Sequence, residues 1–69
     1  MLESYLKNYR IKNNLTQEQM AKKLGTSQPY YCLLEKGKRK PGFVLVNKIS
    51  KLLKLEPSVV RDLLWLQTN

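Results

Sequence analysis

The sequence contains no histidine and only one cysteine, Cys32. A single cysteine excludes an internal disulfide framework and fits a reducing compartment. One thiol without histidine cannot assemble a structural zinc site, so neither a metal nor any other cofactor is expected. There is also no G-x-x-x-x-G-K phosphate loop, and 69 residues are too few to shelter a catalytic pocket, so a non-enzymatic role is expected. Three glycines and three prolines are few for a turn-rich β fold and favour helices. No stretch approaches the roughly 20 apolar residues of a membrane span. The opening MLESYLKNYR is charged and amphipathic and lacks the apolar centre of a signal peptide. These absences lead to the expectation of a cytoplasmic protein with no membrane association.

Acidic residues are the other scarcity. Five stand against thirteen lysines and arginines, for a net charge of +8 and a pI near 9.9. A field of this sign concentrates polyanions around the chain. Nucleic acid leads as the partner class, ahead of an anionic membrane surface and an acidic protein, although basic composition also serves solubility. The chain is 42% hydrophobic, well above a disordered composition. Its length predicts one domain over residues 1–69, small enough to bury only about 60% of its unfolded surface.

Five helices are predicted. In the first, Leu2–Lys12, Leu2, Leu6 and Tyr9 share a face with Tyr5 beside them. Asn13 and Asn14 end it, since asparagine tolerates the left-handed conformation that follows many helices. Thr16-Gln17-Glu18-Gln19 is a capping box opening the second helix. Leu15 and Met20 are placed for a hydrophobic staple, Met20, Ala21 and Leu24 form the inward face, and Gly25 is the stop. Thr26 or Ser27 can cap the third helix, whose first turn tolerates Pro29. Its inward residues are Tyr31 and Leu34, with Tyr30 at the boundary, and it ends near Lys36-Gly37. Two short helices joined by a tight glycine-containing turn, over about 16–36, constitute a helix-turn-helix. The basic loop Lys38-Arg39-Lys40-Pro41-Gly42 follows. A fourth helix over 43–54 offers Phe43, Val46, Ile49, Leu52 and Leu53 to the core. Pro57 suits the first turn of a fifth helix reaching about residue 67, with Val60, Leu63 and Leu64 closing the core.

The stretches L-T-Q-E-Q-M-A-K-K-L-G (15–25) and S-Q-P-Y-Y-C-L-L-E-K-G-K-R-K-P (27–41) resemble the Cro and phage-repressor, or XRE, family of helix-turn-helix proteins. L-K-N-Y-R at 6–10 is similar to the family's first helix and K-I-S-K-L-L at 48–53 to its fourth. The spacing of Ala21, Gly25, Glu35 and Gly37 makes the likeness specific, and it covers about residues 2–60. The resemblance implies an all-α, compact five-helix, lambda-repressor-like DNA-binding domain whose third helix enters the major groove of double-stranded DNA. It further implies that Arg10 and Glu35 form a structural ion pair tying the first helix to the end of the third.

At the start of the second helix, the Gln17 amide lies at the positive end of the helix dipole, a natural phosphate anchor. Its plainer reading is a solvated member of a capping box. A Gln28 side chain can pair with N6 and N7 of adenine, worth about 1–3 kcal/mol of discrimination, and Gln28 matches the family's main base-reading position. Ser27 can bond a base or phosphate, or it can cap the helix. Pro29 replaces a residue often polar in the family and can read only shape or a thymine methyl. Tyr31 and Leu34 take the core positions, so Cys32 and Leu33 are expected on the outward face, where the family usually carries polar residues. Leu33 can pack on a thymine methyl or on another protein. A redox role for Cys32 is disfavoured, since the chain has no histidine to activate the thiol and no second thiol to resolve it. Tyr30 divides between core packing and a phosphate contact through its hydroxyl. Lys36, Lys38, Arg39 and Lys40 stand where the family contacts the sugar-phosphate backbone, though such a run is also an ordinary solvated loop.

Val44, Trp65 and Leu66 are surplus to a core expected to be full by Leu64. They suit a two-fold dimer interface, since such proteins bind half-sites roughly 34–36 Å apart. Trp65 can alternatively fold over the small core. The leading expectation is a homodimeric transcriptional regulator, a repressor on a pseudo-palindromic operator. The alternative is a protein-interaction module on the same fold, an antitoxin or phage accessory protein, motivated by Cys32, Leu33 and Trp65.

Overall fold

Every helix of this protein opens or closes on a local signal that can be named. The computed structural model describes the backbone of residues 2–68 and the side chains of residues 2–64. It contains α1 (Leu2–Lys12), α2 (Gln17–Leu24), α3 (Gln28–Glu35), α4 (Phe43–Leu53) and α5 (Pro57–Thr68). No strand occurs among the described residues.

At the start of α2, Thr16 Oγ1 accepts from the Gln19 amide at 3.1 Å, and Gln19 Oε1 accepts from the Thr16 amide at 2.8 Å. The capping box thus satisfies two amides that would otherwise lack intrahelical partners. Of the two candidate caps for α3, Ser27 is the one used: its Oγ accepts from the Tyr30 amide at 3.3 Å.

Four helices end in the same way. Asn14, Gly25, Gly37 and Lys54 all have positive φ, between 55° and 74°. In each case the next amide reaches back to a carbonyl near the helix end: Leu15 to Arg10, Thr26 to Ala21, Lys38 to Leu33 and Leu55 to Ser50. This is the left-handed closure that caps the last carbonyls of a helix. The Asn13 side chain adds a further cap by donating to the Tyr9 carbonyl at 2.8 Å.

The chain divides into two compact units, one up to Arg39 and the other from Lys40 onward. In the first, α3 packs on both α1 and α2. Its buried residues are Leu2, Leu6, Met20, Ala21, Leu24, Tyr31 and Leu34. Tyr5 and Tyr9 are half-buried flanks of the α1 stripe. In the second unit α4 packs on α5, and Val46, Ile49 and Leu63 are buried, while Leu52, Leu53, Val60 and Leu64 are half-buried.

Phe43 corrects the sequence reading, for it is 56% exposed rather than part of the core. Three residues fall short of a full helical turn by about 60°, so Phe43 and Ile49 lie about 120° apart around the axis. Val46 and Ile49 define the inward face, and Phe43 is rotated off it. Beside it Val44 is 73% exposed, in line with its expected surface position. Trp65 and Leu66, also assigned to a dimer interface, lie outside the described side chains.

Candidate nucleic-acid interface

The candidate surface belongs to the first unit and to the basic run that leads out of it. Residues 25–27 join α2 to α3, so the two helices and their tight turn have the helix-turn-helix form. Gly25 has φ 68°, a conformation open to glycine without steric cost.

Ser27, Gln28 and Pro29 at the N-terminal end of α3 are all exposed. Capping commits one acceptor of the Ser27 hydroxyl and leaves its O–H able to donate elsewhere. The two readings of Ser27 are therefore compatible. The Gln28 side chain has no hydrogen-bonded partner among the described residues, so its amide can engage a ligand without first breaking a contact. Tyr30 is half-buried, between core and surface.

Cys32 and Leu33 lie around α3 from the buried Tyr31 and Leu34, and both are half-buried. Lys36, Lys38, Arg39 and Lys40 are all exposed. No acidic residue intervenes between Glu35 and Glu56, while seven basic ones do. Four of the seven, Lys36, Lys38, Arg39 and Lys40, follow directly in the chain on the helix that carries Gln28.

The start of α2 is tied to the end of α3 by one arginine. Arg10 Nε donates to Glu35 Oε2 at 2.8 Å and Nη2 donates to Oε1 at 2.9 Å. The third nitrogen, Nη1, donates to the Leu15 carbonyl at 3.2 Å, next to the α2 cap. Side-chain exposures of 18% for Arg10 and 6% for Glu35 shield this two-pronged pair from solvent. The hydrogen bond from Arg10 holds the Glu35 carboxyl below its ordinary range, against the opposing effect of burial. The same bond raises the Arg10 guanidinium above its already high value.

Two further residues meet this pair, and sequence reasoning did not connect them to it. The Tyr31 hydroxyl is buried and makes no hydrogen bond of good geometry, yet Glu35 and Arg10 lie close enough for their charges to bear on it. Burial first, and the Glu35 carboxylate second, push its pKa up, so the hydroxyl stays neutral. Gln17, half-buried, lies near enough to Glu35 to add to the lowering of that carboxyl, although the contact falls short of hydrogen-bond geometry. The side chain of Gln17 is therefore drawn toward the pair, while its backbone amide belongs to the first turn of α2. Tyr31 and Glu35 are four residues apart on α3 and meet by helix geometry alone, whereas Gln17 reaches Glu35 only when α2 packs on α3.

No group of three or more potential metal-ligating side chains gathers among the described residues. No helix among them is long and apolar enough to cross a membrane.

Comparison with known proteins places these features in a wider set. Residues 6–60 match the helix-turn-helix family. An uncharacterized HTH-type transcriptional regulator of Methanocaldococcus jannaschii is 48% identical over 50 residues, spanning 72% of this chain and 76% of the relative. A protein of the same description from Archaeoglobus fulgidus is 35% identical over 63 residues, 88% of this chain and 89% of its own length. Another, from Bacillus subtilis, is 36% identical over 53 residues, 77% of this chain and 70% of its own length. No solved structure matches. With the paired short helices, the tight turn and a match over most of its length, the chain belongs to the helix-turn-helix family of the Cro and phage-repressor (XRE) type.

Proposed function

We propose that this protein is a sequence-specific double-stranded DNA-binding transcriptional regulator, without catalytic activity, working in the cytoplasm as a homodimer that represses from a pseudo-palindromic operator. The observation that carries the reading is the exposed Ser27-Gln28-Pro29 tip of α3, followed at the helix's other end by exposed Lys36, Lys38, Arg39 and Lys40. The first group supplies a base-reading amide, and the second supplies phosphate-neutralising charge. The names of the relatives, all HTH-type transcriptional regulators, support it.

In this reading Gln28 is the main base contact, with Ser27, Pro29, Cys32 and Leu33 along the same face. The Gln17 amide and the Tyr30 hydroxyl join the four cations on phosphates. The Arg10–Glu35 pair is structural and keeps the two helices in register. The dimer forms through Val44 with Trp65 and Leu66. Repression then follows from occupancy of the operator.

The test is selection from a random duplex pool, followed by titration of the recovered site and of scrambled DNA across a salt series. The expected result is a two-fold-symmetric site bound about 10³-fold or more tighter than scrambled DNA. Gln28→Ala relaxes preference at one position per half-site. A pool that yields no consensus, with binding that merely weakens as salt rises, refutes base reading.

One observation favours a second reading. Phe43 and Val44 are both exposed at the start of α4, and adjacent apolar side chains suit a protein partner. An antitoxin or phage accessory protein on the same fold would show tight binding to that partner and only weak, unselective binding to DNA.

A further inference from the structure

Opposite the buried Tyr31 and Leu34, α3 presents Gln28, Pro29, Cys32 and Leu33, with Lys36 just past its end. Of the four on the helix, only Gln28 carries a side chain that can both donate and accept strongly at a base edge. Pro29 and Leu33 have apolar side chains, and a thiol is only a weak donor. A major groove set against this face meets one amide and three apolar or nearly apolar groups.

The base edges of the major groove have one apolar feature to match them, the C5-methyl group of thymine. A guanine acceptor or cytosine amino group held against Leu33 or Pro29 would lose water and gain no partner, which disfavours both. A protein interface is a poorer match. The large exposed apolar side chains of the described residues are Ile11, Phe43 and Val44, none of them on α3. Two half-buried side chains, Leu33 and Cys32, cannot by themselves supply the roughly 800 Å² per partner of a stable protein complex.

We propose that Pro29 and Leu33 read pyrimidine C5-methyl groups, so that each half-site places an adenine against Gln28 and thymines against these two side chains. This deepens the DNA-reading proposal above and rests on it. Gln28, Pro29 and Leu33 then contribute one hydrogen-bonded base and two methyl groups to the specificity. A 5-methylcytosine presents the same methyl group and is read as favourably as the remainder of its base pair permits.

The experiment uses the full chain and the site recovered from the random pool. Uracil replaces each thymine in turn, which removes the methyl group and leaves the hydrogen-bonding edge intact. In a second set, cytosine or 5-methylcytosine paired with guanine replaces the same thymines. Uracil is expected to weaken binding about fourfold at two positions per half-site, the effect of one buried methyl-sized group. At those positions 5-methylcytosine binds more tightly than cytosine. Leu33→Ala loses the uracil effect at one position and Pro29→Ala at the other, whereas Gln28→Ala keeps both. If Leu33→Ala unfolds, as read by circular dichroism, Leu33→Gln is used instead. It replaces the methyl contact with an amide and shifts the preferred base at that position.

A recovered site that tolerates uracil at every thymine overturns the proposal, as does uracil sensitivity that persists in the Leu33 and Pro29 variants. If the pool yields no site at all, the operator reading fails and this proposal with it. The presence or absence of a consensus separates the two failures.

Discussion

Arg10 engages two targets with its three nitrogens, the Glu35 carboxylate and the Leu15 carbonyl, and so joins α1 to the end of α3 and to the segment just before α2. Removing one partner of such a shielded pair leaves an uncompensated charge. Arg10→Ala and Glu35→Ala are each expected to cost about 3 kcal/mol in urea denaturation. Arg10→Lys keeps the charge but not the fork and so recovers only part of the loss. The pair also sets a pH dependence with a definite sign. The Glu35 carboxyl in the folded protein lies below its ordinary value of 4.5, so on acidification the unfolded chain takes up this proton first. The stabilisation is complete above about pH 4.5 and is lost as pH falls through the lower folded value. Comparing urea midpoints of wild type and Glu35→Gln from pH 7 downward checks this: the gap between them is constant above that pH and closes below it. A gap that widened in acid would contradict the assignment.

Among the helices, the left-handed closures are the features most open to test. Lys54 holds φ 55° at the end of α4, where a side chain carries a penalty. Lys54→Gly is expected to stabilise by roughly 0.5–1 kcal/mol, the left-handed penalty of about 1–2 kcal/mol less the entropy that glycine adds to the unfolded chain. Gly37 is the converse. Its φ is 74°, and a Cβ there would meet the Glu3 carboxyl group at 3.4 Å. Gly37→Ala is expected to lower stability by about 1–2 kcal/mol. Thermal unfolding of the two variants beside wild type gives both signs at once, and equal shifts in the same direction would show that backbone strain is not what separates them. Thr16→Ala, which removes half of the capping box, costs about 1 kcal/mol by the same measurement.

For the molecule as a whole, the net charge of +8 makes ionic strength the natural variable. Each phosphate neutralised contributes about −0.9 to the slope of log affinity against log salt. Replacing Lys38, Arg39 and Lys40 together by alanine is expected to flatten that slope by about 3 per copy, while the ratio of specific to scrambled affinity stays nearly unchanged. Gln28→Ala does the opposite, changing the ratio and leaving the slope alone. A triple variant that altered sequence preference as strongly as salt dependence would move those cations from phosphates to bases.

The division between what was legible in the chain and what was not follows the range of the forces involved. Helix ends are decided by neighbours a few residues apart. The capping box at Thr16, the left-handed Asn14, Gly25 and Gly37 and the N-terminal Pro57 could therefore all be read directly. The Lys54 closure escaped because lysine carries no such preference and nothing in the local sequence marks the position. Broad charge and the order of the helix-turn-helix motifs were equally plain, and with them the family. Burial on the edge of a helix face depends on what packs against it. Phe43 was missed although helical phase alone turns it off the Val46–Ile49 face, and the half-burial of Cys32 and Leu33 became visible only in the folded chain. Tyr31 and Glu35 are neighbours by the turn of α3 itself, but the approach of Gln17 and Arg10 to Glu35 is tertiary. Residues 10 and 17 reach it only because α3 packs on α1 and α2 at once, and the energy of a shielded ion pair exists only after that packing has removed the water.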